Sequence, residues 1–300
     1  MTDDDLVRAA PARPEAPVRA ADPEWRGQFV AYAADRTGID PTRISLVVET
    51  CAAEVPVGLA LLENRPLTGR VLEVGAGIGL LAMELAARGV DIVALEPGAN
   101  GFSQSALIGS ALRDYVGARD LTILDKPASG LNPQKDGTFD LIFSVNVLEH
   151  IPDLEDNFDG MLSVLSPLGS MVHTCPNYAV PYEPHYAMPL VPGLPRASEW
   201  LKPELRDQEL WRSLNFITAR RIRRIARKRN LSVAFRPGLL HDALTRIEGD
   251  PTFLSRHQGI VPRVYKVLKA ARLIEVLRHV PPGLATPMSF SCSRQPGAPS

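Results

Sequence analysis

The sequence predicts an α/β fold in which a doubly wound, mainly parallel sheet carries helices on both faces. Two observations lead to this prediction. In residues 70–79 an apolar, strand-like run breaks into alternating glycines and continues into a helix-forming segment. Further strand-like runs follow, separated by helical patterns, and this alternation is typical of parallel sheets. These runs are Asp91–Leu95, Leu121–Leu124, Phe139–Val145 and Met171–Cys175.

The region before the first strand divides into a tail and a helical cover. Residues 1–24 are rich in Ala, Pro, Asp and Arg and hold few large apolar side chains, so we expect this tail to be flexible. Helices are predicted over Phe29–Arg36 and Ile44–Asn64, the second with apolar residues at helical spacing. We therefore assign residues 25–66 to a helical cover and residues 67–300 to the α/β domain.

The turn after the first strand has the composition of a ligand-binding turn. Gly75, Gly77 and Gly79 allow the backbone to pass close to a ligand, and the start of the next helix offers unpaired N–H groups to a carboxylate or phosphate. A dinucleotide-binding turn requires G-x-G-x-x-G, but the position of its third glycine holds Leu80. An acidic residue, Glu73, stands two positions before the first glycine instead.

A second acidic residue ends the next predicted strand. Glu96 follows Asp91–Leu95, about twenty residues past the glycines, where a carboxylate can accept hydrogen bonds from both hydroxyls of a ribose. Two later segments continue the same plan. Residues Phe139–Ile151 indicate a buried strand that runs into a short Leu-Glu-His loop, followed by a helix over Asp153–Leu165, and Met171–Cys175 indicates a fifth strand.

In this order, these segments resemble the class I S-adenosylmethionine-dependent methyltransferases, closely from about Arg70 to Asn177. The spacing Glu73-x-Gly75-x-Gly77-x-Gly79 and the Leu-Glu-His loop carry the resemblance. It implies a Rossmann-like sheet of seven strands, S-adenosyl-L-methionine as the cofactor, and methyl transfer by in-line displacement. The helical cover would lie over that cofactor. The cofactor-binding residues that the resemblance implies are Glu73, Gly75, Ala76, Gly77, Gly79, Glu96, Pro97, Asp125 and Asn146.

The acceptor is expected to bind at the loop after the fifth strand, residues 176–200, because ligands of open α/β sheets bind outside the carboxyl ends of the strands. Three of the six tyrosines of the chain lie in this loop, and several prolines stiffen it. A hydroxyl acceptor needs a base, for which we consider His185 first and His150, just past the fourth strand, second. This loop favours methylation at oxygen over nitrogen. The candidates for substrate binding are Tyr182, Glu183 and Tyr186.

The C-terminal part of the chain combines a basic helix with two late strands. The basic helix, residues 216–229, carries an isoleucine stripe at helical spacing, and strands are predicted at Leu231–Phe235 and Met288–Ser293. The residues between those strands form an insertion, 238–286, with a predicted helix over Arg263–His279 and an expected role in shaping the substrate side. The basic face is either solvated or contacts a phosphate-bearing or lipid-linked substrate, and the sequence leaves both alternatives open.

Composition excludes several classes of protein. The 33 basic and 34 acidic residues leave a net charge of −1, which argues against a protein that chiefly coats nucleic acid. Cys51, Cys175 and Cys292 lack metal-ligand spacing, so we expect neither disulfides nor a zinc site, and methyl transfer itself requires no metal. No apolar run approaches the roughly 20 residues of a membrane span, so we expect a cytoplasmic protein without a transmembrane segment. Peripheral membrane contact and the oligomeric state stay open.

Two alternatives to a methyltransferase remain at this point. A nicotinamide-dependent reductase also uses a glycine turn and a distant acid, and Tyr265 with Lys269 forms a Tyr-x-x-x-Lys pair. A non-catalytic, methyltransferase-like binding module would keep the cofactor pocket and act through its basic helix. Binding of nicotinamide cofactors distinguishes the first alternative, and the absence of turnover distinguishes the second.

Overall fold

The structure, a computed structural model, describes three parts of the chain: residues 18–98, 103–249 and 260–295. Most of the predicted tail, residues 1–17, lies outside these ranges. The helical cover consists of α1 (Pro23–Thr37) and α2 (Pro41–Leu62). Asp22 and Asp40 begin these helices, because their side chains accept hydrogen bonds from the backbone N–H groups of the first turns, which have no partner inside the helix.

Within the described residues, seven of the strands form one sheet and β6 and β7 form a separate hairpin. The seven lie in the order β3-β2-β1-β4-β5-β9-β8, with β1 to β5 parallel and β9 antiparallel to both neighbours. This confirms the predicted seven-stranded, mainly parallel sheet. The strands are β1 (Val71–Val74), β2 (Ile92–Leu95), β3 (Ile123–Leu124), β4 (Phe139–Val145), β5 (Leu165–Cys175), β6 (Tyr182–Glu183), β7 (Met188–Pro189), β8 (Leu231–Phe235) and β9 (Met288–Arg294).

Helices flank the sheet on both faces. The α-helices after the cover are α3 (Leu80–Ala87), α4 (Ser103–Val116), α5 (Pro133–Asp136), α6 (Leu154–Ser163), α7 (Glu209–Ser213), α8 (Ala219–Lys228), α9 (Leu239–Gly249) and α10 (Ile260–Ala270). Short 3₁₀ turns occupy Ala128–Gly130, Leu148–His150, Pro195–Trp200, Pro203–Asp207, Glu275–His279 and Pro282–Leu284. The single helix predicted over Arg263–His279 is wrong. The left-handed backbone of Arg272 (φ 57°) separates α10 from the turn that follows.

The sheet separates two apolar cores. Successive side chains of a strand point to opposite faces, and on β1 Val71 belongs to one core and Leu72 to the other. The first core holds the apolar faces of α1 to α4, including Phe29 and Ile44. The second holds α6, α8 and the long segment after β5, with the fully buried Trp211. The carboxyl ends of β1, β2, β4 and β5 therefore meet at one edge between these layers.

Helix α2 corrects the expectation that no apolar run reaches the length of a membrane span. Among the described residues, it is the one helix whose length and composition would allow it to cross a membrane. In the structure α2 contacts α1, α3, β4 and β5. Its residues Ile44, Val48 and Val55 are buried in the first core. Helix α2 thus lies against the carboxyl edge of the sheet.

The side chain of Asn177 joins three segments of the second layer. It is fully buried just after β5, and its Nδ2 donates hydrogen bonds to the carbonyls of Gly283 and Ala285 at 3.1 and 2.9 Å. Its Oδ1 accepts from the backbone N–H groups of Ala179 and Ala219, both at 3.2 Å. One amide therefore holds the loop after β5, the start of α8 and the segment before β9 in place.

Replacement of Asn177 tests this junction. In Asn177→Ala the four backbone groups lose their partner, and buried polar groups without partners cost about 1–3 kcal/mol each, partly relieved by water. We expect the free energy of unfolding in urea to fall by about 2–4 kcal/mol. The exposed residue Gln134 provides a control, because Gln134→Ala should change it by less than about 0.5 kcal/mol. Equal free energies of unfolding for Asn177→Ala and Gln134→Ala would contradict the role of Asn177 in joining these segments.

Candidate active site

The turn between β1 and α3 has the backbone conformation that its glycines predict. Gly75, Gly77 and Gly79 have φ angles of 72°, 57° and 81°, a region that residues with a side chain rarely adopt. Gly75 is also crowded, because a Cβ atom there would lie 2.4 Å from Cγ2 of Val147. The glycines therefore let this turn approach the loop that follows β4.

Glu96, which follows β2, lies beside this turn, and Asp125, which follows β3, lies beyond it. The Oε2 atom of Glu96 accepts a hydrogen bond from the N–H of Gly77 at 2.8 Å, and Oδ1 of Asp125 accepts one from the N–H of Gly98 at 2.7 Å. Pro97 is half-buried between these two acids in the chain. Burial raises the pKa of Glu96, which the hydrogen bond from Gly77 opposes. The two carboxylates thus follow each other along the carboxyl edge of the sheet.

Glu73 is the most constrained acid of the turn. It is buried on β1, and its Oε2 has no hydrogen-bond partner in the described parts of the chain. Burial raises the pKa of Glu73 to about 8, with further contributions from the charges of Glu54 and Glu96 and a small opposing one from the N–H of Ala82. A cationic group next to Glu73 would stabilise the ionised form that burial disfavours.

Helix α2, part of the helical cover expected over the cofactor, forms a wall of this site, but the sequence did not indicate which of its residues face the glycine turn. Cys51 and Glu54 line a cavity of about 40 Å³ over the glycine turn. Oε1 of Glu54 accepts a hydrogen bond from Nδ2 of Asn146 at 3.0 Å. Asn146, a predicted cofactor-binding residue, is therefore hydrogen-bonded to α2. The only sequence signal was an acidic residue inside the apolar run of α2. The other lining residues are Glu73, Gly75, Ala76, Gly77, Leu80, Leu81 and Val145.

The cavity over the turn is smaller than a nucleoside-sized ligand needs. Pockets that hold a nucleoside-sized molecule enclose about 300 Å³ or more. The polar groups at the turn are arranged around a ligand position, but the wall formed by Cys51 and Glu54 stands too close to the glycines for such a molecule. A Cβ atom at Gly77 would lie 3.4 Å from Sγ of Cys51, so α2 packs closely over the turn.

The two predicted catalytic histidines meet at the ends of β4 and β5. The rings of His150 and His185 stand edge to face with centroids 5.2 Å apart. Nε2 of His150 lies 3.9 Å from Oε1 of Glu149, which is fully buried. Neither carboxylate oxygen of Glu149 has a hydrogen-bond partner among the described residues. The histidine side chains are 22% and 25% exposed, so a ligand can reach this cluster from the surface.

Glu183 holds His185 in place. Its Oε1 lies 2.6 Å from Nδ1 of His185 and accepts a hydrogen bond from the Tyr178 hydroxyl at 3.1 Å, while its Oε2 accepts one from the N–H of Tyr186 at 2.6 Å. The expectation that Glu183 binds the substrate directly is therefore corrected, because the side chain is fully buried and both oxygens are engaged. Tyr182 and Tyr186 are half-buried in the same loop and stay candidates for substrate binding.

The charges of this cluster set different proton affinities for its members. Burial alone lowers the pKa of His185, but the carboxylates of Glu183, Glu149 and Glu54 raise it above its ordinary value overall. Burial and the neighbouring His185 lower the pKa of His150 to about 3. Burial raises the pKa of Glu149 to about 8. The carboxylates therefore favour a proton on His185, whereas His150 stays neutral near neutral pH.

The basic helix, residues 216–229 of the sequence prediction, is shorter and partly paired. Ile222 and Ile225 are buried on α8, as their spacing predicts. Lys228 binds Glu155 at 2.9 Å, and Arg229, just past the helix, binds Asp159 through two nitrogens. The arginines that remain exposed on α8 are Arg220, Arg223, Arg224 and Arg227.

Comparisons with known proteins identify the family of the chain. Residues 50–234 match a family model described as a methyltransferase domain. An uncharacterised protein of Mycobacterium tuberculosis is 33% identical over 253 residues, which covers 81% of this chain and 81% of its own. The ubiquinone biosynthesis O-methyltransferase of Psychrobacter cryohalolentis is 28% identical over 153 residues, covering 50% of this chain and 57% of its own. A phosphoethanolamine N-methyltransferase structure from Haemonchus contortus, with S-adenosyl-L-methionine, is 19% identical at a TM-score of 0.44, covering 81% of this chain and 53% of that one.

Unfolding measurements across pH test the burial of Glu73. Its pKa rises from an ordinary value of 4.5 to about 8 on folding, so the folded state binds the proton more tightly. The stability that this group contributes is present below its unfolded pKa and is lost as the pH rises through its folded pKa. The slope for one such group reaches about 1.4 kcal/mol per pH unit.

In Glu73→Gln, which cannot ionise, this part of the slope should disappear. Urea unfolding at one-unit steps from about pH 5 to about pH 8 measures it, with the exposed Glu63→Gln as the matched control. The expectation fails if Glu73→Gln and Glu63→Gln lose stability equally with rising pH.

Proposed function

The chain belongs to the class I S-adenosylmethionine-dependent methyltransferases, and we propose that it methylates a hydroxyl oxygen of a small-molecule acceptor. We propose oxygen rather than nitrogen as the methylated atom because His185 forms a hydrogen-bonded pair with Glu183 at the carboxyl edge of the sheet. A histidine held by a buried carboxylate is suited to remove a hydroxyl proton. The acceptor classes that we propose are carbohydrate-like and lipid-linked alcohols.

The groups around the glycine turn fit the cofactor. When bound, S-adenosylmethionine supplies an electrophilic methyl group on a positively charged sulfur. The unpartnered carboxylate oxygen of Glu73 suits the ammonium group of its methionine part, and Glu96 suits the ribose hydroxyls. We assign Pro97 and Asp125 to the adenine and Asn146 to the methionine part. The glycines keep side chains out of this space, as their positive φ angles allow.

The acceptor side is proposed to act through His185. Its Nδ1 is hydrogen-bonded to Glu183, so Nε2 is the nitrogen that can take the proton of the acceptor hydroxyl. His150 stays neutral near pH 7 and offers a hydrogen-bonding group to the acceptor rather than a base. Tyr182 and Tyr186 would contact the rest of the acceptor. Because methyl transfer is an in-line displacement, the remaining task of these residues is alignment and the exclusion of water.

The glycine turn and the histidine cluster share two neighbouring residues, which supports a role of both in one reaction. Glu54 lines the cavity over the turn, and its charge also raises the pKa values of Glu149 and His185. Val147 contacts the position of Gly75 in the turn and lies in the loop that carries the cluster. The Tyr-x-x-x-Lys pair of the reductase alternative is not part of this site. Tyr265 and Lys269 both interact with Glu248 of α9 instead.

Substitutions at the turn test cofactor binding. We expect saturable, micromolar binding of S-adenosylmethionine to the wild-type protein by calorimetry. Glu96→Ala should weaken it at least about tenfold, because two hydrogen bonds to a charged group are lost. Gly77→Arg should abolish binding, since the position has a positive φ and its Cβ would lie 3.4 Å from Sγ of Cys51.

The exposed Glu63→Ala is the matched control and should bind as the wild type does. Thermal unfolding establishes that each variant is folded. Unchanged affinity in both Glu96→Ala and Gly77→Arg would refute the assignment of the cofactor site.

Substitution of His185 tests the proposed chemistry. With a panel of sugar and long-chain alcohols as acceptors, we expect formation of S-adenosylhomocysteine by the wild-type protein. His185→Gln should lower kcat by about 10²–10⁴-fold, the usual contribution of a general base, and leave the Kd of S-adenosylmethionine unchanged. Glu183→Gln should lower kcat less, because the imidazole remains. Amino analogues of the same acceptors serve as the control, and methylation of these analogues alone would overturn the choice of oxygen.

A further inference from the structure

We propose that Glu149, His150 and His185 form a binding site for a divalent transition-metal ion. One ligand atom from each residue lies within 4.8 Å of the other two. Zinc-type ions hold nitrogen and oxygen ligands at about 2.0–2.2 Å, which places neighbouring ligand atoms about 3.3 Å apart in a tetrahedral site. The three atoms therefore need to approach by at most about 1.5 Å, which side-chain rotation supplies.

The carboxylate of Glu149 is the first argument for an ion. It is fully buried, and neither oxygen has a hydrogen-bond partner in the part of the chain that the structure describes. Buried polar groups are almost always satisfied, and a buried carboxylate needs a cation or several donors. None of the described ion pairs brings an arginine or lysine to Glu149. Ligand atoms of His150 and His185 lie within 4.8 Å of this carboxylate, and a metal ion held between the three side chains would supply the partner that the carboxylate oxygens lack.

The hydrogen bonds of His150 leave the correct nitrogen for an ion. The hydroxyl of Ser213 donates its hydrogen to the carbonyl of Leu210 at 2.7 Å. Because the same oxygen lies 2.8 Å from Nδ1 of His150, it must accept a hydrogen bond from that nitrogen. The proton of the neutral ring is therefore on Nδ1, and Nε2 carries the lone pair that binds a metal.

The second histidine is prepared in the same way. Nδ1 of His185 lies 2.6 Å from a carboxylate oxygen of Glu183, which accepts its proton in a hydrogen bond and leaves Nε2 free. Glu183 is itself fixed by Tyr178 and by the N–H of Tyr186. Histidines that bind metals commonly donate their other N–H to a carboxylate, carbonyl or hydroxyl, which orients the ring. Both rings here have such a partner.

The ligand set indicates the class of ion and its use. Two imidazoles and one carboxylate suit zinc, iron, cobalt, nickel or manganese better than magnesium or calcium, which prefer oxygen ligands alone. Three protein ligands leave positions open for water or a substrate oxygen. An acceptor hydroxyl bound there would lose its proton to water more easily, and Nε2 of His185 would then be a ligand rather than the base. Only this catalytic consequence rests on the proposed function.

Titration with Co²⁺ tests the site without cofactor or acceptor. Full-length protein freed of metals with a chelator should bind one Co²⁺ per chain by calorimetry, with the visible absorption of Co²⁺ changing in step. Glu149→Gln, which is nearly isosteric, and His185→Ala should each weaken binding at least about 100-fold. Ser213→Ala removes only the group that orients His150 and should weaken it about tenfold. The exposed His279→Ala should bind as the wild type does.

The outcomes separate this inference from the proposed function. Absence of stoichiometric Co²⁺ binding, or equal binding by Glu149→Gln, His185→Ala and His279→Ala, overturns the metal site and leaves the base role of His185 intact. Binding with the expected order of variants supports the metal site whether or not S-adenosylmethionine binds at the glycine turn. Retention of full methylation activity after removal of the ion would show that the ion does not take part in catalysis.

Discussion

The site depends on the burial of carboxylates that the chain itself does not neutralise. Glu73 and Glu149 are buried at the same edge of the sheet, and each has at least one oxygen without a hydrogen-bond partner among the described residues. Such groups are costly in a protein interior unless a cation compensates them. Lys228 and Arg229 pair with α6, and none of the described ion pairs brings an arginine or lysine to Glu73 or Glu149. The edge is therefore preorganised for cationic partners from outside.

Helix α2 connects the two halves of this edge. Glu54 lines the cavity over the glycine turn, binds Asn146, and contributes to the electrostatic environment of Glu73, Glu149 and His185. One side chain of α2 thus belongs to both halves of the edge.

Much of the fold was predictable because its signals are local. The strands at Phe139–Val145 and Leu231–Phe235 have the predicted bounds, and the glycines of the turn have the positive φ angles that glycine tolerates. The helix over Arg263–His279 was predicted wrongly, because regular spacing of charges does not reveal a left-handed residue such as Arg272. The membrane-length apolar run of α2 was overlooked, because Glu49 and Glu54 interrupt the sequence pattern but not the helix.

The sequence by itself determined the strand–turn–helix that defines the family, the acid on β1 and the acids that follow β2 and β3, because each depends on residues that are close in the chain. Only the tertiary structure decided which distant residues meet there. It places His185 next to the pair Glu149 and His150, turns Glu183 from a substrate ligand into the support of a histidine, and brings Glu54 over the turn. The contacts of His185 with Glu149 and His150, and of Glu54 with the turn, join residues tens of positions apart, so they form only when the sheet and α2 have packed.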